Sequence, residues 1–408
     1  MKLFIKGFSS VASFAGVQLL GKSLLLLAMY ILSFALSSEE FGYISLAQST
    51  FMLFLVVLGA NLQSAVVRYY PEFGFQGIIK SLRPFFVLQS LLAVLVSICA
   101  LVVGLFSGVS ELRYFAILPF AGLLASYVLA LSVVARYKND IFGYGLTALP
   151  KPVLVLLVSL LVLFGKGEPV FFFALALLLS SVVVVFFKSR YVHDANLPGD
   201  FLPFSVIVKY AAPLFLVQIM ALINNVADKY IMLAFVSISE IGLYAKAYLY
   251  GSSLGILLDS LMLLWAPYVM RHRGNVLRWA LRWGKLATFI ILLSAMLIAL
   301  LGCFVYFDGL VFFDGLNTDF WVCFIVIVAA YISRVGYQIF VPLLNAYDRT
   351  KKTAYLSLFG AMIGVVLNFL LIPVLGIIGA ALATLASFAC FSVFALSAVN
   401  GIEKLEKN

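Results

Sequence analysis

Charged side chains are rare within the long apolar stretches of this sequence, and most of those present are basic. A charge in the hydrocarbon interior of a membrane is costly, so each one is a candidate functional residue. A cavity with surplus ammonium and guanidinium groups favours an anionic substrate, because a desolvated phosphate forms strong charge-assisted hydrogen bonds with them. The predicted substrate-binding cations are Lys22, Lys229, Lys246, Arg334 and Arg68, the last at the inner end of its stretch.

Amide side chains accompany these cations at helical spacing. Gln18 lies one turn before Lys22, near the middle of the first apolar stretch, and two asparagines precede Asp228 and Lys229 by one turn. The apolar stretches of the first half contain no acid, so we predict that Lys22 faces a central cavity and contacts an anionic substrate. The predicted polar lining of that cavity is Gln18, Asn224 and Asn225.

Each of these assignments has a structural alternative. Asp228 and Lys229 would neutralise each other, Lys246 would extend to the membrane interface, and Arg334 would pair with Asp259. Asp228 and Asp259 are also the only acids within the apolar stretches. They are therefore the candidates for a proton or sodium coupling site as well as for charge pairing.

The composition is that of a membrane-embedded chain. Apolar residues make up 64% of it and charged residues only 11%, which excludes an ordinary soluble protein. The four cysteines are not spaced as metal ligands, and the two histidines lie in predicted loops. We therefore expect no catalytic site, metal or cofactor. We also expect no nucleic-acid partner, because the excess of basic residues is better explained by their position in the loops on one side of the membrane.

Hydropathy predicts twelve membrane-spanning helices, at about 20 residues for each crossing. Most of the 27 basic residues fall at the N-terminus, the even-numbered connections and the C-terminus, and Lys151 is counted with the connections. The positive-inside rule then places both termini in the cytoplasm, and it also accounts for Arg68 as an ordinary cytoplasmic charge. The segments are 11–36, 43–66, 84–106, 113–134, 146–164, 169–187, 210–235, 243–266, 284–305, 320–345, 354–372 and 377–399.

The chain repeats itself at an offset of two hundred positions. Glu40-Phe41-Gly42-Tyr43 recurs as Glu240-Ile241-Gly242-Leu243. Six helices per half give parallel repeats, with an N-terminal lobe at 1–200 and a C-terminal lobe at 201–408. Two such lobes around a central cavity have the architecture of an alternating-access transporter.

Several loose motifs, in order, resemble one known family. The chain resembles the Wzx-type lipid-linked oligosaccharide flippases, of the polysaccharide transporter family within the multidrug/oligosaccharidyl-lipid/polysaccharide (MOP) exporter superfamily. The motifs are Glu39-Glu40-Phe41-Gly42-Tyr43, Ala65-Val66-Val67-Arg68-Tyr69, Tyr210-Ala211-Ala212-Pro213-Leu214, Asp228-Lys229, Glu240-Ile241-Gly242-Leu243-Tyr244, Asn368 and Ile372-Pro373-Val374-Leu375-Gly376-Ile377-Ile378-Gly379-Ala380-Ala381.

The resemblance implies a MATE-like fold and a bacterial inner-membrane flippase. Its substrate would be an undecaprenyl-diphosphate-linked oligosaccharide repeat unit, moved from the cytoplasmic to the periplasmic leaflet for O-antigen or capsule-type polysaccharide biosynthesis. Membrane lipids and other polysaccharide assembly proteins would be its partners. Helices one, two, seven and eight would line the cavity. Lys22, Asp228, Lys229 and Lys246 lie on these helices, whereas Arg334 lies on helix ten, outside the set.

Three other functions compete with this interpretation. A cation-coupled multidrug exporter of the same superfamily usually carries a carboxylate in its first lobe, where this chain has Lys22. A lipid-II-type flippase resembles a chain with two further helices. A membrane enzyme such as a polysaccharide polymerase would need a substantial outer loop with acid–base residues, and the predicted outer loops are short.

Overall fold

The structure is a computed structural model that describes residues 2–165, 167–189, 203–307, 318–347 and 349–406. Its regular elements are helices, and a short 3-10 turn, Phe115–Ile117, joins two of them. The helices are α1 (Lys2–Ala35), α2 (Ser38–Val57), α3 (Leu62–Phe106), α4 (Ser110–Tyr114), α5 (Leu118–Tyr137), α6 (Ile141–Ala148), α7 (Pro150–Leu163), α8 (Pro169–Ser189), α9 (Phe204–Met232), α10 (Ile238–Arg271), α11 (Arg273–Phe307), α12 (Thr318–Ala346) and α13 (Thr350–Glu406).

Two of these helices are too long for a single crossing, and each one breaks at a glycine. Gly74 in α3 has φ 65° and ψ 174°, and Gly376 in α13 has φ 57° and ψ −134°. Residues with a side chain rarely adopt such backbone angles, so glycine is the residue that permits both breaks. Pro71 and Pro373 each lie three residues from the break in their helix, Pro84 lies further along α3, and each removes a helical hydrogen bond.

The breaks reconcile the helices with the predicted crossings. By length and composition, nine stretches of the described chain qualify as membrane spans. The stretches Ser38–Phe106 and Lys351–Ile402 each contain one broken helix and so supply two crossings apiece. With α10, whose 34 residues are long enough to span a bilayer, the structure contains the twelve predicted crossings.

The sequence repeat marks the same local structure twice. Ser37 accepts a hydrogen bond from the backbone N–H of Glu40, and Glu40 accepts one from the backbone N–H of Ser37, at 3.2 and 2.9 Å. Ser237 and Glu240 make the same pair of bonds, at 3.3 and 2.9 Å. These capping boxes begin α2 and α10, and such caps contribute about 1 kcal/mol each.

The chain divides into two compact units, Met1–Leu222 and Ile223–Asn408, with the division inside α9. In the first unit α5 packs on α2, α3 and α8, while α1 packs on α7. In the second unit α12 packs on α10, α11 and α13. The predicted lobe boundary at 200 lies outside the described residues and stays a prediction. The unit cores include Val66, Ile78, Leu82 and Leu131 in the first and Phe340, Leu343, Leu344 and Val399 in the second.

A glycine allows α2 and α5 to approach closely. A Cβ at Gly122 would lie 2.7 Å from the backbone nitrogen of Leu55 and 2.6 Å from the Cβ of Phe54. Helices in membranes associate through small residues of this kind, because backbones can then touch. The contact holds the face of α2 with Phe51 and Leu55 beside α5, and that face forms one wall of the candidate site described next.

Candidate functional site

A concave pocket of about 270 Å³ lies within the first unit. We call it the lysine pocket, because Lys22 and Lys151 both line it and none of its lining residues is acidic. Its walls come from α1, α2, α5, α6, α7 and α8. The polar lining residues besides the lysines are Gln18, Thr147, Ser180 and Ser181.

Lys151 enters the pocket from the start of α7. Its Nζ lies 4.5 Å from the ring centroid of Phe51, which is itself 2% exposed on α2. An ammonium over an aromatic face gains a cation–π interaction, which is stronger where water is excluded. Lys151 was counted above only among the cytoplasmic connections, although it falls inside the predicted segment 146–164. That position inside an apolar segment is the signal that could have identified it.

Lys22 lines the same pocket from α1, together with Gln18 one turn earlier. Between them Gly21 faces the junction of α6 and α7, where a Cβ would lie 3.5 Å from the carbonyl oxygen of Ala148. The structure therefore brings Lys22 and Gln18 together with Lys151. The predicted role of Lys22 on a central cavity stays a prediction.

The hydroxyl groups of this pocket are already used as donors. Thr147 donates to the carbonyl of Tyr144 at 2.7 Å, and Ser180 donates to the carbonyl of Leu177 at 2.9 Å. Ser181 also donates to the Leu177 carbonyl, at 3.3 Å. The other lining side chains that carry N–H donors are the two lysines and Gln18, and Lys22 is exposed and already has an interaction partner.

Arg68 lies elsewhere, on an exposed face of α3. Its guanidinium forms an ion pair with Glu72 at 2.9 Å, and the two side chains are 51% and 55% exposed. Exposed i,i+4 pairs contribute little to stability. The guanidinium also lies 5.3 Å from the ring centroid of Tyr69. Arg68 is not among the residues of the lysine pocket, and its role toward substrate stays a prediction.

The second unit contains a buried carboxylate. Asp228 on α9 is 8% exposed and accepts a hydrogen bond from the Tyr244 hydroxyl at 2.8 Å and another from the backbone N–H of Lys229 at 2.9 Å. Tyr244 on α10 is fully buried. The half-buried Lys229 interacts electrostatically with Asp228. These contacts hold the carboxylate in one orientation.

A small cavity of about 20 Å³ adjoins Asp228, which is enough space for one water molecule or one small ion. The side-chain oxygen of Asn368 is buried there without a hydrogen-bond partner in the described part of the chain. Oxygen atoms of this kind suit a hard cation, and they also suit water. The polar lining residues are Asn224, Asp228, Asn368, Thr384 and Ser387. Among the described residues no cluster of three His, Cys, Asp or Glu suits a metal ion.

Tyrosines connect Asp228 to the region of Arg334. The rings of Tyr244 and Tyr248 are 5.9 Å apart, and the hydroxyls of Tyr248 and Tyr331 are 3.2 Å apart. The Arg334 guanidinium lies 5.9 Å from the ring centroid of Tyr331. It also lies 5.5 Å from the ring centroid of Phe388, which lines the small cavity.

Lys246 and Asn225 do not line the small cavity. Lys246 is half-buried on α10 and has an interaction partner, while Asn225 on α9 is exposed and also partnered. Asp259 lies within α10, but its side chain is outside the described residues. The sequence analysis did not predict that Thr384 and Ser387 line a cavity, or that tyrosines lie between Asp228 and Arg334. Both arrangements depend on contacts between helices that are distant in sequence. Asn368, a polar residue inside the apolar segment 354–372, was the available signal.

Comparison with known proteins identifies the fold. No protein-family profile matches the chain, and no curated protein matches it. Solved structures do match it. The lipid II flippase MurJ, in an inward closed conformation, is 18% identical with a TM-score of 0.68, covering 95% of this chain and 87% of that chain.

Multidrug resistance MATE family transporters of the MOP superfamily match as well. The inward-facing conformation is 16% identical with a TM-score of 0.69, covering 95% of this chain and 96% of that chain. The outward-facing conformation is also 16% identical, with a TM-score of 0.60 and coverage of 98% and 96%. The predicted all-α, twelve-helix, MATE-like fold is confirmed, and the chain has the fold of a multi-pass membrane transporter.

Proposed function

We propose that this chain is a flippase for an undecaprenyl-diphosphate-linked oligosaccharide repeat unit and not an enzyme. The substrate would pass from the cytoplasmic to the periplasmic leaflet of a bacterial inner membrane, for surface polysaccharide biosynthesis. The halves 1–200 and 201–408 would act as the two lobes of an alternating-access transporter, with both termini cytoplasmic. One observation carries the proposal: two lysines line a pocket that has no acidic lining residue.

The physical argument concerns two like charges that line one pocket. Two ammonium groups lining one pocket repel each other, and an anion between them relieves that repulsion. At an effective dielectric constant of about 20, opposite unit charges about 4 Å apart attract by about 4 kcal/mol. A diphosphate offers more than one negative charge and many acceptor oxygens, so it matches Lys22, Lys151 and the Gln18 amide.

The cavity beside Asp228 supports a proposal about energy coupling. A proton or one sodium ion bound there would interact with the Asp228 carboxylate and with the unpartnered oxygen of Asn368. Asn224 and Thr384 would supply further oxygens. Asp259 remains the second candidate from the sequence. Lys229, Lys246 and Arg334 remain proposed contacts of the substrate.

A cation-coupled multidrug exporter of the same superfamily is the second candidate. The buried carboxylate of Asp228 and the similarity to MATE transporters favour it. The lysine pocket argues against it, because a cationic drug would be repelled by Lys22 and Lys151. The two candidates therefore differ in the sign of charge that the first unit should accept.

Leaflet exchange in proteoliposomes tests the proposal. The purified protein is reconstituted and supplied with a fluorescent undecaprenyl-diphosphate oligosaccharide or, separately, a cationic dye. We expect faster lipid exchange than in empty liposomes, loss of it in Lys151→Ala, and normal exchange in Lys285→Ala, whose lysine is exposed on α11. Folded protein that exports the dye and leaves lipid exchange at the empty-liposome rate would refute the proposal.

A further inference from the structure

A second concavity of the first unit lies along α3 and has a different character. It measures about 750 Å³, which is within the range of roughly 300–1,000 Å³ typical of ligand sites. We call it the α3 groove. One end is lined by Gln76, Lys80 and Arg83, the other by Val87, Leu91 and Val94, with Tyr127 of α5 contributing to its wall.

Helical spacing explains why these side chains share one groove. Positions 76, 80, 83, 87, 91 and 94 recur every three or four residues, so they lie on one face of α3. The break at Gly74 lies just before this face begins. From Arg83 to Val94 the helix rises about 16 Å, which is roughly the depth of one leaflet of the hydrocarbon core.

The polar end of the groove carries available positive charge. Lys80 and Arg83 are exposed, and within the described chain neither forms an ion pair, in contrast to Arg68 with Glu72. None of the residues that line the groove is acidic. The positive-inside pattern predicts that this end faces the cytoplasm, where the headgroups of anionic lipids lie.

We propose that the α3 groove binds one membrane phospholipid with an anionic headgroup. The lipid phosphate contacts Lys80 and the planar guanidinium of Arg83, whose forked donors match phosphate oxygens. One acyl chain lies along Val87, Leu91 and Val94, all exposed apolar side chains. The charge at one end and the leaflet-deep apolar face at the other together select a lipid over a soluble phosphate. This inference does not depend on the proposed function.

Native mass spectrometry of the full-length protein tests the charged end. Phosphatidylglycerol and phosphatidylcholine are titrated separately. We expect preferential retention of phosphatidylglycerol, and about 30-fold weaker binding in Lys80→Ala/Arg83→Ala, because two surface cations are lost. The matched control Arg278→Ala/Arg282→Ala removes two exposed arginines of α11 and should keep the preference. Equal affinity for the two lipids in the unaltered protein, or equal loss in both double variants, overturns the proposal.

Two neighbouring leucines test the apolar end. Leu91 is 62% exposed and lines the groove, whereas Leu92 is 43% exposed and does not. Leu91→Trp should occlude the groove and weaken phosphatidylglycerol binding at least several-fold, and Leu92→Trp should bind normally. Thermal unfolding in phosphatidylcholine verifies that each variant folds. If the two tryptophan variants bind alike, the acyl chain does not lie in the groove.

The polyprenyl carrier is the competing occupant of the same groove. Undecaprenyl phosphate is added to the phosphatidylglycerol complex as a competitor. We expect phosphatidylglycerol to stay bound at equal concentrations of the two lipids. The opposite result would be that undecaprenyl phosphate displaces phosphatidylglycerol from the unaltered protein but not from Lys80→Ala/Arg83→Ala. It would assign the groove to the carrier and overturn the phospholipid proposal.

Discussion

Replacing Lys151 with methionine separates charge from packing in the lysine pocket. Lys151→Met removes the ammonium and keeps an unbranched side chain of similar length. The lysine is half-buried, and its Nζ lies 4.5 Å from the ring centroid of Phe51. Methionine can still pack on that ring through its thioether.

The expected effect on stability follows from two opposing terms. A lysine at the centre of a membrane helix costs about 2.5–3.5 kcal/mol on insertion scales, which is an upper bound for Lys151 at the start of α7. A cation–π contact offsets about 0.5–2 kcal/mol of that cost. We therefore expect the free energy of unfolding of Lys151→Met to be unchanged or higher, by up to about 3 kcal/mol.

The expected effect on transport has the opposite sign. Removing one partner of a desolvated charge pair typically costs about 2–5 kcal/mol, or roughly 30-fold to several-thousand-fold in affinity. If Lys151 binds the diphosphate, leaflet exchange per folded molecule should fall by at least about 30-fold at low substrate concentration. Raising the substrate concentration should restore part of it.

Both quantities are measured on the same purified protein, by thermal unfolding in detergent and by exchange in proteoliposomes. Lys285→Met provides the control for loss of an exposed lysine. A purely structural Lys151 would show the reverse pattern, with lower stability and normal exchange per folded molecule. That outcome would refute the assignment of the lysine pocket to substrate.

Three further predictions concern Lys22, Asp228 and Gly74. Lys22→Ala should reduce lipid exchange at least about tenfold with little change in unfolding temperature. Lys22→Arg should retain part of the exchange activity, since the charge survives. Normal exchange in Lys22→Ala would contradict the prediction that Lys22 contacts the substrate. Asp228→Asn should remove the sodium or pH dependence of transport, measured under imposed gradients, and an unchanged dependence would exclude it as the coupling acid. Gly74→Ala should lower the free energy of unfolding by about 1–3 kcal/mol because of its backbone angles. Chemical denaturation should show no such loss in the control Gly16→Ala, because the added Cβ would meet no atom within 4 Å beyond its own stretch of helix.

Hydropathy predicted the helices well, because it follows from local composition. A run of about 20 apolar residues must span a bilayer as a helix, since no water is there to satisfy its backbone. The repeated Ser-x-x-Glu at Ser37 and Ser237 also acts locally, and the structure shows a capping box at both positions. The breaks at Gly74 and Gly376 fall within the predicted connections 67–83 and 373–376, but the glycines responsible were not identified, because single glycines are common in membrane helices.

The candidate sites were less predictable, because they depend on contacts between helices far apart in sequence. Lys151 was assigned to the cytoplasmic charges, since a lysine near a helix end satisfies the positive-inside rule whichever way it points. Its place beside Phe51 of α2 follows only from the packing of the helices in the first unit. Likewise, the oxygens beside Asp228 include Asn368 and Thr384 of α13, more than a hundred residues away.

The two units differ in the charge that lines their cavities, and this difference is a physical argument for a division of labour. The lysine pocket of the first unit has cations and no acidic lining residue, whereas the cavity of the second contains a carboxylate oriented by Tyr244. An anion lowers the electrostatic free energy of the two lysines, and a proton or small cation lowers that of the buried carboxylate. If both ligands bind one transporter, any change that the cation makes in substrate affinity must be matched by an equal change that the substrate makes in cation affinity. Coupling then requires only that the two ligands favour different conformations, and direct contact between them is unnecessary.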